Sequence, residues 1–308
     1  PMNLAVIAMS RQAPEIERVK IPVAKLLVDN YEPEWIDRVT ESFKDKHGND
    51  TSSRRYYETW GSLGVEDGSK LPSVTTVLGR VYPKDRLTEW RIAENTKAIE
   101  RALWNRVEEP IDMTNVQDAL DEAASETKQA FATAGRVGNK AHELVEMVLE
   151  SSEWWSPPEP WVRQAAYRLA GGFNDDYRQL ENVTSNLLDW VKHAHATERL
   201  EFIESEVCVY NHLFAGTVDA LFQNPDGKII VVDFKTANRV SILDNHKAQV
   251  AAYTGILQPY CSDIEGRIVQ LRKNALDYTQ ESIDETSLEK WISLFNSAYE
   301  FYYELERI

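Results

Sequence analysis

The sharpest pattern of hydrophobic and polar positions lies between Phe214 and Tyr253. FAGTVDALF and KIIVVDFK are short runs rich in β-branched and aromatic residues, separated by Asn224-Pro225-Asp226-Gly227. That tetrapeptide is a strong turn signal, so the pattern predicts an antiparallel hairpin of strands 214–222 and 228–234. Further strands are predicted at 203–210 and near 266–271, with a helix over 245–257 between the hairpin and the last strand. Upstream, helical patterning covers 85–107, 116–150, 161–180 and 183–196, and a closing helix covers 285–306. Gly135 and Gly138 predict a break, or a close approach, within the second of these.

Before residue 71 the pattern is weak. It predicts a short helix at Glu34–Phe43, a polar loop from His47 to Ser53, a strand at Arg54–Trp60, and a turn in GSLGVEDGSK. Leu71–Leu78 (LPSVTTVL) opens the regular region: Pro72 disfavours helix for the residue before it, and Ser73 is a candidate N-cap. Helices that lead into a β-meander, then a helix and one more strand, predict an α/β fold. The expected form is a mixed central sheet flanked by helices, with a mainly helical N-terminal part. Residues 1–70 read as an accessory segment and 71–308 as the main domain, with a helical insertion around 151–200.

Composition changes this picture little. The 308 residues are 43% hydrophobic and 27% charged, which suits a globular chain with a full core. No apolar run approaches the roughly 20 residues of a membrane span. No secretory leader is visible at the start, and Pro1 is not an initiator residue. Cys208 and Cys261 stand in unrelated contexts, which excludes a four-cysteine zinc or iron–sulfur site and fits a reducing compartment.

The net charge of −16 argues against a nucleic-acid partner only weakly, because a local groove governs phosphate binding. Arg80, Lys84, Arg86, Arg91, Lys97, Arg101 and Arg106 recur through one segment, either as such a groove or, the commoner case, as a solvated helix face.

The candidate chemistry sits on the hairpin. Side chains alternate along a strand, so Asp233 and Lys235 share a side with Ile229 and Val231, and a short turn sets Asp219 nearly opposite Asp233. Two carboxylates facing one another in an apolar strand are costly unless they hold a cation. Mg²⁺ takes oxygen ligands at about 2.0–2.1 Å and keeps several waters. A lysine beside such a water can orient it, deprotonate it, or steady developing charge.

Gln249 and Tyr253 lie one turn apart on the following helix and gain meaning only from that position. His142 and Glu146 show the same spacing upstream, and Glu206 begins the strand before the G-x-x-D strand. His142 and Glu206 each read either as a ligand or as an ordinary exposed residue. His193 and His195 do not converge on a metal. Trp154, Trp155 and Trp161 read either as nucleobase platforms or as anchors of the Pro-rich connector EWWSPPEPW.

The order Gly138/His142, Glu206, Gly216/Asp219, Asp233/Lys235/Thr236, Gln249/Tyr253 resembles the RecB-like branch of the PD-(D/E)xK nuclease superfamily. LPSVTTVL followed by Glu89-Trp90-Arg91 is similar to mitochondrial genome maintenance exonucleases and related bacteriophage exonucleases. The likeness spans roughly residues 71–305 and leaves 1–70 without a counterpart.

The resemblance implies a restriction-endonuclease-like core and a metal-dependent DNA exonuclease that prefers single strands with free ends, in replication, recombination or DNA degradation. His142, Asp219, Asp233 and the Phe234 carbonyl would hold Mg²⁺, with Mn²⁺ as the alternative ion and Glu206 as a further ligand. Lys235 would be catalytic alongside Asp219 and Asp233, and Gln249 and Tyr253 would position the DNA backbone or the lysine. Ser73, Thr75, Trp90, Arg91, Lys140 and Thr236 would contact DNA.

The cluster-binding cysteines of some relatives are missing, so no iron–sulfur cluster is expected. Two alternatives remain: a structure-directed endonuclease on the same core, and a catalytically silent DNA-binding recombination partner. Replication or recombination proteins are the expected protein partners, and no membrane is. The expected location is the cytoplasm of a bacterial or phage-infected cell, with a mitochondrion as the alternative.

Overall fold

The computed structural model describes residues 10–11, 15–20, 35–44, 50–60, 70–82, 85–108, 112–261 and 263–307. Strands come first: β1 (Ser10–Arg11), β2 (Glu15–Lys20), β3 (Trp35–Lys44), β4 (Asp50–Trp60) and β5 (Lys70–Pro72). They form an antiparallel sheet in which β3 pairs with β1 and β2 on one side and β4 on the other, and β4 pairs with β5. The helix expected at Glu34–Phe43 is therefore corrected to a strand, and the helices that lead into the central sheet begin at Val74. Ile36, Val39 and Phe43 have helical spacing, but the segment is rich in β-formers and finds a complete partner in β4. His47–Asn49, Gly61–Ser69 and Lys84, which carry parts of the expected loop, turn and basic series, lie outside the described residues.

Helices follow: α1 (Val74–Val81), α2 (Asp85–Trp104), α3 (Met113–Leu149), α4 (Glu159–Ala170) and α5 (Asp175–Ala196). Ser73 caps α1 by accepting the Thr76 amide. No break occurs at Gly135 or Gly138, because Ala123, Thr127, Val137, Ala141, Leu144, Val145 and Val148 keep one buried stripe through α3. The helix expected over 161–180 is two. Gly171 (φ 77°) and Gly172 (φ 119°) end α4 in the left-handed region, and Asn174 caps α5. Ion pairs Arg101–Glu126 (2.5 Å) and Arg106–Glu122 (2.7 Å) tie α2 to α3, so these two members of the basic series serve the helical hairpin.

The central sheet has the order β10-β9-β8-β7-β6, made of β6 (Glu201–Tyr210), β7 (Ala215–Gln223), β8 (Ile229–Ala237), β9 (Ile264–Arg272) and β10 (Tyr278–Ile283). All pairs are antiparallel except β8 with β9, which are joined by the crossover helix α6 (Asp244–Leu257). The chain is thus α/β with a mixed five-stranded sheet flanked by helices. One face buries Phe222, Ile230, Val232, Phe234 and Val269 under α3, α4 and α5. The other buries Val207, Val218 and Val231 under α1, α6 and the closing helix α7 (Glu285–Glu306). No helix among the described residues is long and apolar enough to cross a membrane.

Candidate active site

The site forms where two central strands part. The β7–β8 ladder runs from Gln223↔Ile229 to Ala220↔Val232 and stops. One step further Asp219 and Asp233 face each other, as the turn length predicts. There the Asp219 side chain replaces the ladder: its Oδ2 accepts the Phe234 amide at 2.6 Å. Beyond the fork β8 follows β9 to Ala237, while β7 stays with β6.

Asp233 is 1% exposed, so its carboxylate depends on the groups around it. Lys235 Nζ lies 3.0 Å from Oδ1 and 2.7 Å from Oδ2. Its approach to Oδ2 is poorly angled, which leaves that oxygen held by charge and without a hydrogen bond. Gln249 of α6 donates its amide to Asp233 Oδ1 (3.0 Å) and lies 3.1 Å from the Tyr253 hydroxyl. The i, i+4 pair thus forms a buried prop under the carboxylate. Gly216 gives the G-x-x-D glycine its reason: a Cβ there would lie 2.3 Å from Tyr253 Cε1. Only glycine lets the tyrosine ring lie against β7.

On the other side of the fork, His142 Nδ1 sits 3.4 Å from Asp219 Oδ2. β6 carries Glu206 opposite Asp219, between the pairs Ser205↔Ala220 and Val207↔Val218, with φ 48°. A left-handed residue with a side chain inside a strand is an outlier of the kind that gathers at functional sites.

The titrations follow from this crowding. The Asp219 charge raises His142 above its ordinary value against the opposing effect of burial. Burial works to raise Asp219, but the charge and hydrogen bond of His142, the charge of Lys235 and the Phe234 amide hold it below the usual range. Burial pushes Asp233 up to about 6, with Lys235 opposing and Asp219 adding to the rise. Burial works to lower Lys235, but Asp233 and Asp219 together raise it. Burial and the Asp219 charge raise Glu206, opposed by Arg38.

The donor set is chemically suited to a hard cation: carboxylate oxygens, one imidazole, and a buried Asp233 oxygen without a hydrogen bond. The side chains as they stand do not close on a point. Among the described residues no group of three or more His, Cys, Asp or Glu side chains is arranged to hold a metal ion. Lys235 and Gln249 occupy Asp233, and Asp219 is engaged by His142 and the Phe234 amide.

The residues expected to contact DNA are spread more widely. Ser73 is buried, and its hydroxyl serves the α1 cap and the Thr76 hydroxyl; the same residue bridges to Ala215, next to Gly216. Thr75 is exposed, with its hydroxyl 3.1 Å from Ser73 Oγ. Trp90 of α2 is half-buried against Phe131 of α3 (ring centroids 5.6 Å apart), and Arg91 is exposed. Thr236 lies across from Gly138. Lys140 is tied to Asp176 at 2.9 Å. Trp154 packs on Phe222 in the core, and Trp155 stacks on His195 at 4.8 Å, so both anchor the connector, while Trp161 stays exposed.

Sequence reasoning missed Arg38, whose Nη1 lies 3.6 Å from Glu206 Oε2. Its segment is rich in β-formers, but no local pattern signals its place beside Glu206.

No family model matches the chain, and no curated protein matches it. A solved structure entitled "Crystal structure of SSO0001" aligns with 52% of this chain and 74% of its own length, at 16% identity and a TM-score of 0.25. Overlap that slight carries no inference about fold or function.

Proposed function

We propose that this chain is a metal-dependent DNA exonuclease of the RecB-like PD-(D/E)xK type, acting on single strands with free ends. The observation that carries the reading is the fork. Asp219 and Asp233 face each other across parting strands, Lys235 lies on Asp233, and His142 lies beside Asp219. A mixed sheet with a β8–α6–β9 crossover is also what such a core requires. The preference for single-stranded ends rests on the resemblance of the motifs at 71–91 and 138–253.

His142, Asp219, Asp233 and the Phe234 carbonyl are the groups that would hold Mg²⁺ or Mn²⁺, with Glu206 beside them. Bound there, the ion would supply an activated water and positive charge against the phosphate oxygens. Lys235 presents an ammonium that orients the attacking water or meets charge developing on the phosphate. Asp233 holds that ammonium in place, and Gln249, backed by Tyr253, fixes the Asp233 carboxylate. Exposed Thr75 and Arg91 are the candidates best placed by accessibility to meet the DNA backbone.

Digestion of end-labelled linear and circular oligonucleotides, single- and double-stranded, with the metal varied, tests the reading. Linear single strands should be shortened in Mg²⁺ or Mn²⁺ and spared in EDTA, and circles should survive. Cleavage that resists EDTA, or wild-type rates in Asp233→Ala or Lys235→Ala, would falsify the mechanism. Nicked circles would transfer it to an endonuclease.

A further inference from the structure

We infer that Arg38, on the N-terminal sheet, is a positioning residue of the active site that acts through Glu206. Its kinetic consequence rests on the nuclease reading above. Arg38 on β3 pairs with Tyr57 on β4, so the two side chains leave the same face of that sheet. Both reach the central sheet at one place. The Tyr57 hydroxyl lies 2.9 Å from Thr217 Oγ1, and Arg38 Nη1 lies 3.5 Å from the same oxygen and 3.6 Å from Glu206 Oε2. Thr217 precedes Asp219 by two residues on β7, which keeps the contact on the strand segment that carries the site carboxylate. Tyr57, Leu71, Cys208 and Ala215 form a buried cluster that fixes this docking.

What Arg38 does there follows from the charges it faces. Carboxylates directly opposite each other on neighbouring strands repel, and Glu206 and Asp219 are so placed. Lys235 is paired with Asp233, and His142 with Asp219. Arg38 forms an ion pair with Glu206, the His142 charge adds to its effect, and Arg38 comes from outside the central sheet. Glu206 also holds the left-handed backbone, so its carboxylate direction depends on what its side chain is drawn toward. The guanidinium thereby keeps Glu206 turned at the rim of the fork while offsetting its repulsion of Asp219. The N-terminal sheet, in this account, is part of the site rather than an attachment to it.

Cleavage of a labelled single-stranded oligonucleotide in Mg²⁺ is measured for wild type, Arg38→Gln, Glu206→Gln and the double variant, with urea unfolding of all four. Arg38→Gln should lower kcat by about tenfold with little change in KM, and should cost nothing further once Glu206 is already Gln. Equal losses in both backgrounds, an unchanged kcat, or a rise in KM alone would overturn the inference, the last by assigning Arg38 to direct substrate contact. A wild-type protein that cleaves nothing would sink the nuclease reading by itself. The unfolding cycle would then decide the contact: coupling between Arg38 and Glu206 supports it, and additive effects overturn it.

Discussion

Two sets of buried charge lie in the central sheet, one on β9 and one around the fork of β7 and β8. On β9, Arg267 is 6% exposed and is gripped by Glu198 at 2.6 Å and Glu265 at 2.9 Å, while Gln280 donates to Glu198 and Ser282 to Glu265. Its neighbour Ile268 packs toward α6, so Arg267 faces the other way. Around the fork, on β8, β7 and β6, the groups are looser. His142–Asp219 stands at 3.4 Å and Arg38–Glu206 at 3.6 Å, Glu206 has φ 48°, and a buried Asp233 oxygen lacks a hydrogen bond. The first set reads as a closed structural clamp. The second holds like charges together and leaves one buried oxygen without a hydrogen bond, a pattern that gathers at functional sites.

The largest expected effect breaks the second set. Asp233→Asn should lower the cleavage rate by at least about a thousandfold, the scale seen when a group acting on the transition state is lost. Stability should move by no more than about 1 kcal/mol, because losing the Lys235 ion pair is offset by relief of a buried charge and of repulsion from Asp219. Rate assays beside urea unfolding check both. A variant that cleaves normally but melts early would make the fork another structural clamp.

Arg267→Met should do the reverse. Glu198 and Glu265 would lose their shared cation, a change worth about 3 kcal/mol, at the low end for breaking a buried pair because both carboxylates keep some water. The cleavage rate at a temperature where the variant is folded should stay at the wild-type level. Loss of cleavage in a stably folded Arg267→Met would erase the distinction between the two sets.

Gly216→Ala probes the prop beneath the site. The added methyl would lie 2.3 Å from Tyr253 Cε1, and Tyr253 is 2% exposed, so the ring must shift. Overpacking of this kind costs about 1–3 kcal/mol. Displacing the ring also disturbs the Tyr253–Gln249–Asp233 chain, so cleavage should fall with kcat rather than KM. Wild-type stability and rate together would show that the chain through Gln249 is dispensable.

How much of this was legible in the sequence depends on whether an element carries its own pattern. The closing helix, expected at about 285–306, spans Glu285–Glu306, and the hairpin register followed from Asn224–Gly227, whose Asn224 Oδ1 accepts the Asp226 and Lys228 amides. Asp219 opposite Asp233 was a consequence of that register. Strand β10 was missed, since Tyr278–Ile283 is a mostly polar edge whose identity comes from pairing with β9. β3 was misread as a helix because tertiary pairing overrode its apolar spacing. Arg38 could not be read at all: its place beside Glu206 arises from the docking of one sheet on another, which no local periodicity encodes.

The smallest effect tests whether a closed clamp also exists among the helices that flank the site. Asp176, 6% exposed in the first turn of α5, accepts from Arg136 at 2.8 Å and 3.2 Å and from Lys140 at 2.9 Å, binding α5 to α3. The hydrogen bond from Arg136 leads the effects that hold its carboxyl below the ordinary value of 3.8, against the cost of burial. A depressed carboxyl stabilises the fold above its unfolded value and loses that contribution as pH falls through the folded one. Asp176→Asn should therefore cost about 1.5 kcal/mol at neutral pH, the lower figure for hydrogen bonds to a charged group, because Arg136 stands half in water. The gap between wild type and variant should begin to narrow as pH drops toward 3.8 and close below it. Urea titrations of both proteins from pH 7 to pH 3 measure it. A gap that stays constant through that range would mean that Asp176 contributes by packing and not by its charge.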